Sequence, residues 1–213
     1  MILHFENKMN GKSLLLDSAQ YINSFNQTFT VSKLRYYISN ISFGNDEDKW
    51  STFPQSFLID AADSASQFIH LSHSAKEKFT SIKFIVGVDS LHNCSGAQTG
   101  NLDPLKGMFW TWNTGYIFFK IEGHAATSPQ PGNIFEYHIG GYMKPHNNIK
   151  TIELALPDID QTTNTIQYTI TAAIDSVLNG QNKIDFSIHS SITTLPDAWM
   201  IAGDYGNMFS IEK

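Results

Sequence analysis

Residues Thr165-Ile166-Gln167-Tyr168-Thr169-Ile170-Thr171 decide the fold class. Ile166, Tyr168 and Ile170 alternate with Gln167, Thr169 and Thr171. Successive side chains of an extended chain point to opposite faces, so the stretch has one apolar face and one wet face, the pattern of a half-buried strand. Ile152, Leu154 and Leu156 repeat the alternation, and so do Ile184, Phe186 and Ile188 against Lys183, Asp185 and Ser187. Further strand-like runs lie at Leu3–Glu6, Lys12–Leu16, Leu34–Phe43, Phe57–Asp60, Phe68–Leu71, Ser81–Val88, Tyr116–Glu122 and Phe135–Gly141. Clusters of Gly, Asn, Asp and Pro separate them, as in antiparallel β proteins. The acidic Gly44-Asn45-Asp46-Glu47-Asp48, between Phe43 and Trp50, reads as a solvated hairpin turn. Ala172–Leu178 predicts a turn or two of helix stopped by Asn179-Gly180. The expectation is an all-β fold: an antiparallel two-sheet β-sandwich or flattened barrel, with one long functional loop and few short helices. No stretch reads as a linker, so one domain over residues 1–213 is expected.

Composition narrows the function classes. The 213 residues are 41% hydrophobic and only 16% charged, which describes a globular chain able to bury a sizeable core. A net charge of −6 with no Lys or Arg run gives no footprint for nucleic acid. No apolar run reaches the roughly 20 residues of a membrane-spanning helix. The opening MILHFENKMNG lacks the basic and apolar regions of a signal peptide, and the expectation is that Met1 stands where an export signal has been removed, any lipid anchor lying outside this sequence. The single cysteine, Cys94, excludes an internal disulfide and reads as a small buried residue. No GxSxG elbow, P-loop or GxGxxG fingerprint is present, and the chain is read as a binding protein and not an enzyme.

The segment Val88–Tyr116 shows little alternation before its aromatic cluster, and a loop this long in a compact domain tends to be functional. Met108, Phe109, Trp110 and Trp112 are too apolar for an idle surface loop, so part of the segment must fold back onto the body.

Several stretches together carry a family resemblance: Phe29-Thr30-Val31-Ser32-Lys33-Leu34-Arg35-Tyr36-Tyr37-Ile38, Gly87-Val88-Asp89-Ser90, Gly107-Met108-Phe109-Trp110-Thr111-Trp112-Asn113-Thr114-Gly115-Tyr116, Tyr137-His138-Ile139-Gly140-Gly141, and Asp204-Tyr205 near the end. On these the chain resembles the MbnP-like family, methanobactin-associated periplasmic copper-binding proteins. The resemblance runs essentially end to end. It implies an extracytoplasmic location, periplasmic or at the cell surface. It also implies copper, histidine ligands joined by a tryptophan oxidised to kynurenine, and a di-haem peroxidase related to MauG as the oxidant.

Read from the residues, copper chemistry needs neutral imidazoles near a modifiable indole. His138 alternates against Phe135, Tyr137 and Ile139 and so points away from their face; it serves equally as a ligand or as a hydrogen-bonded strut. Asp89 and His92 follow the strand at Val86 and Val88 and could converge on His138, although turn capping explains them as well. His4, opposite Leu3 and Phe5, is a further metal candidate. Trp110, Trp112 and Tyr116 form the candidate oxidisable or aromatic pocket, with a buried aromatic pair as the plainer account. Calcium, on Asn101 and Asp103 or on the Asp46 turn, is the second cofactor reading. The alternative function is a non-catalytic cell-surface sandwich that binds glycan or protein through a platform of Trp112, Tyr116 and Tyr142.

Overall fold

The computed structural model describes residues 1–47, 49–72, 78–110, 115–159 and 166–211. Its strands are β1 (Ile2–Met9), β2 (Lys12–Ser13), β3 (Tyr21–Ile22), β4 (Thr28–Gly44), β5 (Trp50–Asp60), β6 (Phe68–His70), β7 (Ser81–Val86), β8 (Ile117–Ala125), β9 (Ile134–Gly140), β10 (Lys150–Ala155), β11 (Gln167–Ala173), β12 (Ser191–Ile192) and β13 (Phe209–Ile211). Three one-turn helices accompany them, α1 (Ser90–Cys94), α2 (Asp175–Asn179) and α3 (Trp199–Ala202). No helix among the described residues is long and apolar enough to cross a membrane.

The strands build the expected sandwich. The smaller sheet runs β13-β11-β1-β2 with β6 also on β1, and the larger runs β10-β7-β4-β8-β9-β12 with β3 and β5 also on β4. Period-two alternation puts Leu3, Phe5 and Met9 of β1 inside, where Phe5 meets Phe84 of the larger sheet edge-on at 5.7 Å. Phe209 of β13 closes the cluster against Phe84 and Tyr36, at 5.2 and 6.1 Å. Burying such rings contributes roughly 1.5–3 kcal/mol each, which is why the apolar alternation fixes which face of each strand turns inward. The 17-residue β4 is the spine of the larger sheet; irregularities between Val31 and Lys33 and between Ser39 and Ile41 bend it so that different neighbours pair along its length.

Three expectations need correction. The sheets are not purely antiparallel: β1 pairs with β11 in parallel from Ile2↔Gln167 to Lys8↔Ala173, and β12 pairs with β9 in parallel. The alternation at Ile184, Phe186 and Ile188 is not a strand. Asp185 organises a turn there, its side chain accepting from Gln27 Nε2 and from Ser187 N and Oγ and its carbonyl from His189 N, so the backbone is committed locally; Ile184 and Phe186 are buried while Ile188 is exposed. The helix before Gly180 is shorter than expected, because Ala172 and Ala173 belong to β11. Gly180 itself is pressed against the buried Asp204, whose carboxylate accepts from Gln181 N and Asn182 N. The Gly44 hairpin is as read, with Asn45 Oδ1 accepting from Glu47 N and Lys49 N.

The long segment after β7 folds back over the outer face of the larger sheet. There Tyr37, Leu58, Val88, Leu102, Met108, Tyr116, Ile117 and Phe118 form a second, smaller core, with Phe109, Trp110 and Tyr142 packed against it.

Candidate functional site

The outer face of the larger sheet also carries a row of charged side chains. Lys33 and Arg35 of β4, Lys120 and Glu122 of β8, and Glu136 and His138 of β9 stand on it, placed side by side by the pairs Lys33↔Glu122, Arg35↔Lys120, Lys120↔His138 and Glu122↔Glu136. Ionic groups on a half-covered face need partners. Glu122 supplies two: Oε1 lies 2.8 Å from His138 Nε2, and Oε2 accepts from Lys33 Nζ at 2.7 Å.

This arrangement fixes the chemistry of His138. Its side chain is 16% exposed, and burial lowers its pKa despite the opposing pull of Glu122. Burial raises the carboxyl of Glu122, but the bonds from Lys33 and His138 outweigh it and hold Glu122 below its usual value. An ionised carboxylate can only accept, so the imidazole proton sits on Nε2 and the lone pair on Nδ1. A neutral imidazole steered by a carboxylate is the state in which histidine binds metals. Trp110 sits on the same face: a Cβ on Gly140, two residues along β9 from His138, would lie 3.0 Å from Trp110 Cζ3. Trp112 lies outside the described residues.

A second imidazole–carboxylate pair lies where the long segment begins. β7 ends at Val86, and Asp89 is not a strand residue but the cap of α1. Its Oδ1 accepts from His92 N at 3.0 Å and its Oδ2 lies 2.7 Å from His92 Nδ1, with Asn40 Nδ2 at 3.3 Å. Burial raises the Asp89 carboxyl, and the bonds from His92 and Asn40 bring it below its usual value. The buried Asn93 locks α1 to the sheet, donating to Val88 O at 2.6 Å and accepting from Tyr116 N at 2.9 Å. Gly115, at φ +71°, makes room, since a Cβ there would collide with Asn93 Oδ1.

The rest of the segment is held by its carbonyls. Lys120 Nζ donates to Gly107 O at 2.6 Å, Arg35 Nη1 to Lys106 O at 2.8 Å, Tyr37 Oη to Asn101 O at 2.9 Å and Tyr116 Oη to Leu102 O at 2.7 Å. Burial, with help from Lys33 and Arg35, pulls the ammonium of Lys120 below its usual pKa.

The structure thus brings together Asp89 with His92, and packs Trp110 against Gly140, two residues along β9 from His138, but it does not gather all four expected metal residues. His4 belongs to the smaller sheet and stacks on Phe68 at 4.3 Å and 3°, a packing role. Among the described residues no group of three or more His, Cys, Asp or Glu is arranged to hold a metal ion. Of the calcium candidates, Asp103 Oδ1 caps a turn by accepting from Leu105 N and Asn101 Nδ2 donates to Ser56 O, while Asp48 of the Asp46 turn lies outside the described residues. Tyr116 is fully buried and so is no part of a solvent-facing platform. Cys94 is exposed, not buried, because it ends the one-turn α1 with its Sγ 3.7 Å from Tyr142 Oη.

Sequence reading missed Glu122, Lys33 and Lys120. Lys120 and Glu122 stand two positions apart on β8, and Lys33 comes from β4, so the row becomes legible only once the β4–β8 and β8–β9 registers are known.

The family model described as MbnP matches residues 1–195. Among solved structures, MbnP from Methylosinus trichosporium is similar, with a TM-score of 0.57 and 15% identity over 87% of this chain and 78% of that one, a likeness of fold. Comparison with curated proteins gives no match.

Proposed function

The chain belongs to the MbnP family, and on that premise we propose that it is an extracytoplasmic copper-binding protein in which His138 is a donor. The observation that carries this reading is the Lys33–Glu122–His138 chain of bonds: burial favours the neutral imidazole, and Glu122 fixes its proton on Nε2 and leaves the lone pair on Nδ1, on the sheet face where Trp110 packs beside Gly140. The donor set fits copper only in its softer form. His92 and His138 stand in two separate imidazole–carboxylate pairs, and among the described residues no three His, Cys, Asp or Glu gather into a cage, so the donors on offer are few and nitrogenous, and Cu(I) is the ion that accepts low coordination by imidazole. Bound there, copper would supply a redox-active, soft Lewis acid. The chain's own part is to orient the ring through Glu122 and to exclude water with Trp110. In this reading Trp110 is the indole open to oxidation, and a di-haem peroxidase of the MauG kind is the partner that oxidises it.

Cu(I) titration against a competing chelator tests the proposal, using protein purified from its native host so that any oxidised tryptophan is present. We expect binding that weakens by about tenfold to a hundredfold in Glu122→Gln, the range for loss of a ligand-orienting carboxylate, and further in His138→Ala. Host protein that takes up no copper, or binds it equally well without His138, overturns the reading. Intact-mass measurement on the same material reads the mass gain of an oxidised tryptophan, and peptide mapping assigns it among Trp50, Trp110, Trp112 and Trp199.

A further inference from the structure

On the other side of the long segment, a cleft of about 460 Å³ opens between its Asn101–Lys106 stretch and the β5–β6 connection. The volume falls within the roughly 300–1,000 Å³ of small-ligand sites. None of the copper candidates lines it. Three features define what it could take.

The first is charge. Arg35 Nε donates to Asp60 Oδ2 at 2.8 Å, so the two ionic groups at its base neutralise each other, and Lys106 and Asp63 set one positive against one negative group at its edges. A cleft so balanced offers no net field to an anion or a cation. The second is hydrogen bonding. After the bonds to Asp60 and to Lys106 O, the remaining guanidinium donors of Arg35 have no protein partner among the described residues. Asn101 donates its amide to Ser56 O and keeps its carbonyl oxygen, while Asp63 uses Oδ1 on Ala65 N and keeps Oδ2. Unspent donors and acceptors thus line the same cleft. A hydroxyl group, which donates and accepts at once, satisfies both kinds. The third is a flat apolar surface. Phe68 is 38% exposed, lines the cleft, and is fixed by stacking on His4 at 4.3 Å, so the ring is already rigid before anything binds. Rigid aromatic area costs little entropy on binding.

We propose that this cleft binds a neutral saccharide, a sugar ring laying its C–H face on Phe68 while its hydroxyls bond Arg35, Asp63 and Asn101. The site is separate from the imidazole pairs and stands whether or not copper binds.

Saturation-transfer NMR and calorimetry on the full chain, with cellobiose, maltotriose and N,N′-diacetylchitobiose as probes and glucuronate as the charged control, test it. At least one neutral probe should bind and glucuronate should not. Phe68→Ala should weaken the binding by about tenfold, the upper end of one ring contact, whereas Phe68→Tyr keeps it. Lys106→Ala, at an exposed edge position, should change it less than Phe68→Ala. No binding by any neutral probe, or binding that Phe68→Ala leaves intact in a protein whose thermal unfolding is unchanged, overturns the proposal.

Discussion

His92 and His138 each face a carboxylate at hydrogen-bond distance, 2.7 Å from Asp89 and 2.8 Å from Glu122, yet the two pairs are built in opposite ways. The Asp89–His92 pair is local. Its members are three positions apart, and the same carboxylate caps the first turn of α1, so the pair forms wherever that turn forms. The His138–Glu122 pair is assembled from two strands, and its partner Lys33 comes from a third, so it exists only if both ladders are in register. The difference teaches that a short sequence spacing makes a robust capping device, whereas the long-range pair is the one the sheet holds half-buried beside an indole. An imidazole kept neutral by burial is the better metal donor.

Four changes break or sharpen that contrast. The largest effect should come from Gly115→Ala. The substitution imposes a side chain on a left-handed backbone and drives its Cβ into Asn93 Oδ1, undoing the lock between α1 and the sheet. A loss of about 3 kcal/mol is expected in urea unfolding, with the His92 pair displaced and the His138 pair intact. Unchanged stability would mean that Asn93 does not anchor α1.

Glu122→Ala should cost less, about 2 kcal/mol. Most of it comes from the half-buried His138 left without a partner, because Lys33 is 40% exposed and its ion pair is screened by solvent. Glu122→Gln should recover part of the loss, and a neutral result for Glu122→Ala would show that the cross-strand pair adds no stability.

Asp89→Ala should cost about 1 kcal/mol, the ordinary worth of an N-cap, and Asp89→Asn only a few tenths, since an amide oxygen also caps. Equal losses for both would point to charge, not capping, as the role of Asp89.

The smallest effect separates the pairs along the pH axis. His138 has a lowered pKa in the folded protein, so the unfolded chain binds its proton more readily, and the contribution is whole above about pH 6.5 and lost as pH falls below it. Asp89 and Glu122 are also lowered, but as carboxyls they keep their contribution above the ordinary carboxylate range and lose it only as pH falls through that range and their lowered folded values. Denaturant midpoints at pH 7.5 and 5.5 should therefore differ less in His138→Gln than in the parent chain, while Asp89→Asn should leave that difference as it was.

Much of the Asp89–His92 pair was legible, because aspartate immediately before serine, with a histidine three residues on, is a capping pattern that needs no tertiary information. His138 was legible as a residue facing away from the Tyr137 side of its strand. Its partners were not, since nothing in the spacing of Lys33, Glu122 and His138 says that they meet. The strand at Ile184–Ile188 was misread for a related reason. Alternation reports only which residues seek burial, and Asp185 satisfies the backbone with a turn that buries Ile184 and Phe186 just as well.

By itself the sequence determined the material of the protein: period-two ribbons with one oily side, a long aromatic-rich insertion that had to be tucked in, and a net charge of −6 with no run of Lys or Arg. Only the tertiary structure decided the parallel joining of β1 to β11, the second core under residues 88–110, and the choice of Glu122 and Lys33 as companions of His138. The physical reason is that alternation is a property of each strand alone, while register is set by packing between strands distant in the chain, and a slip of one residue would turn every charged side chain of that outer row inward.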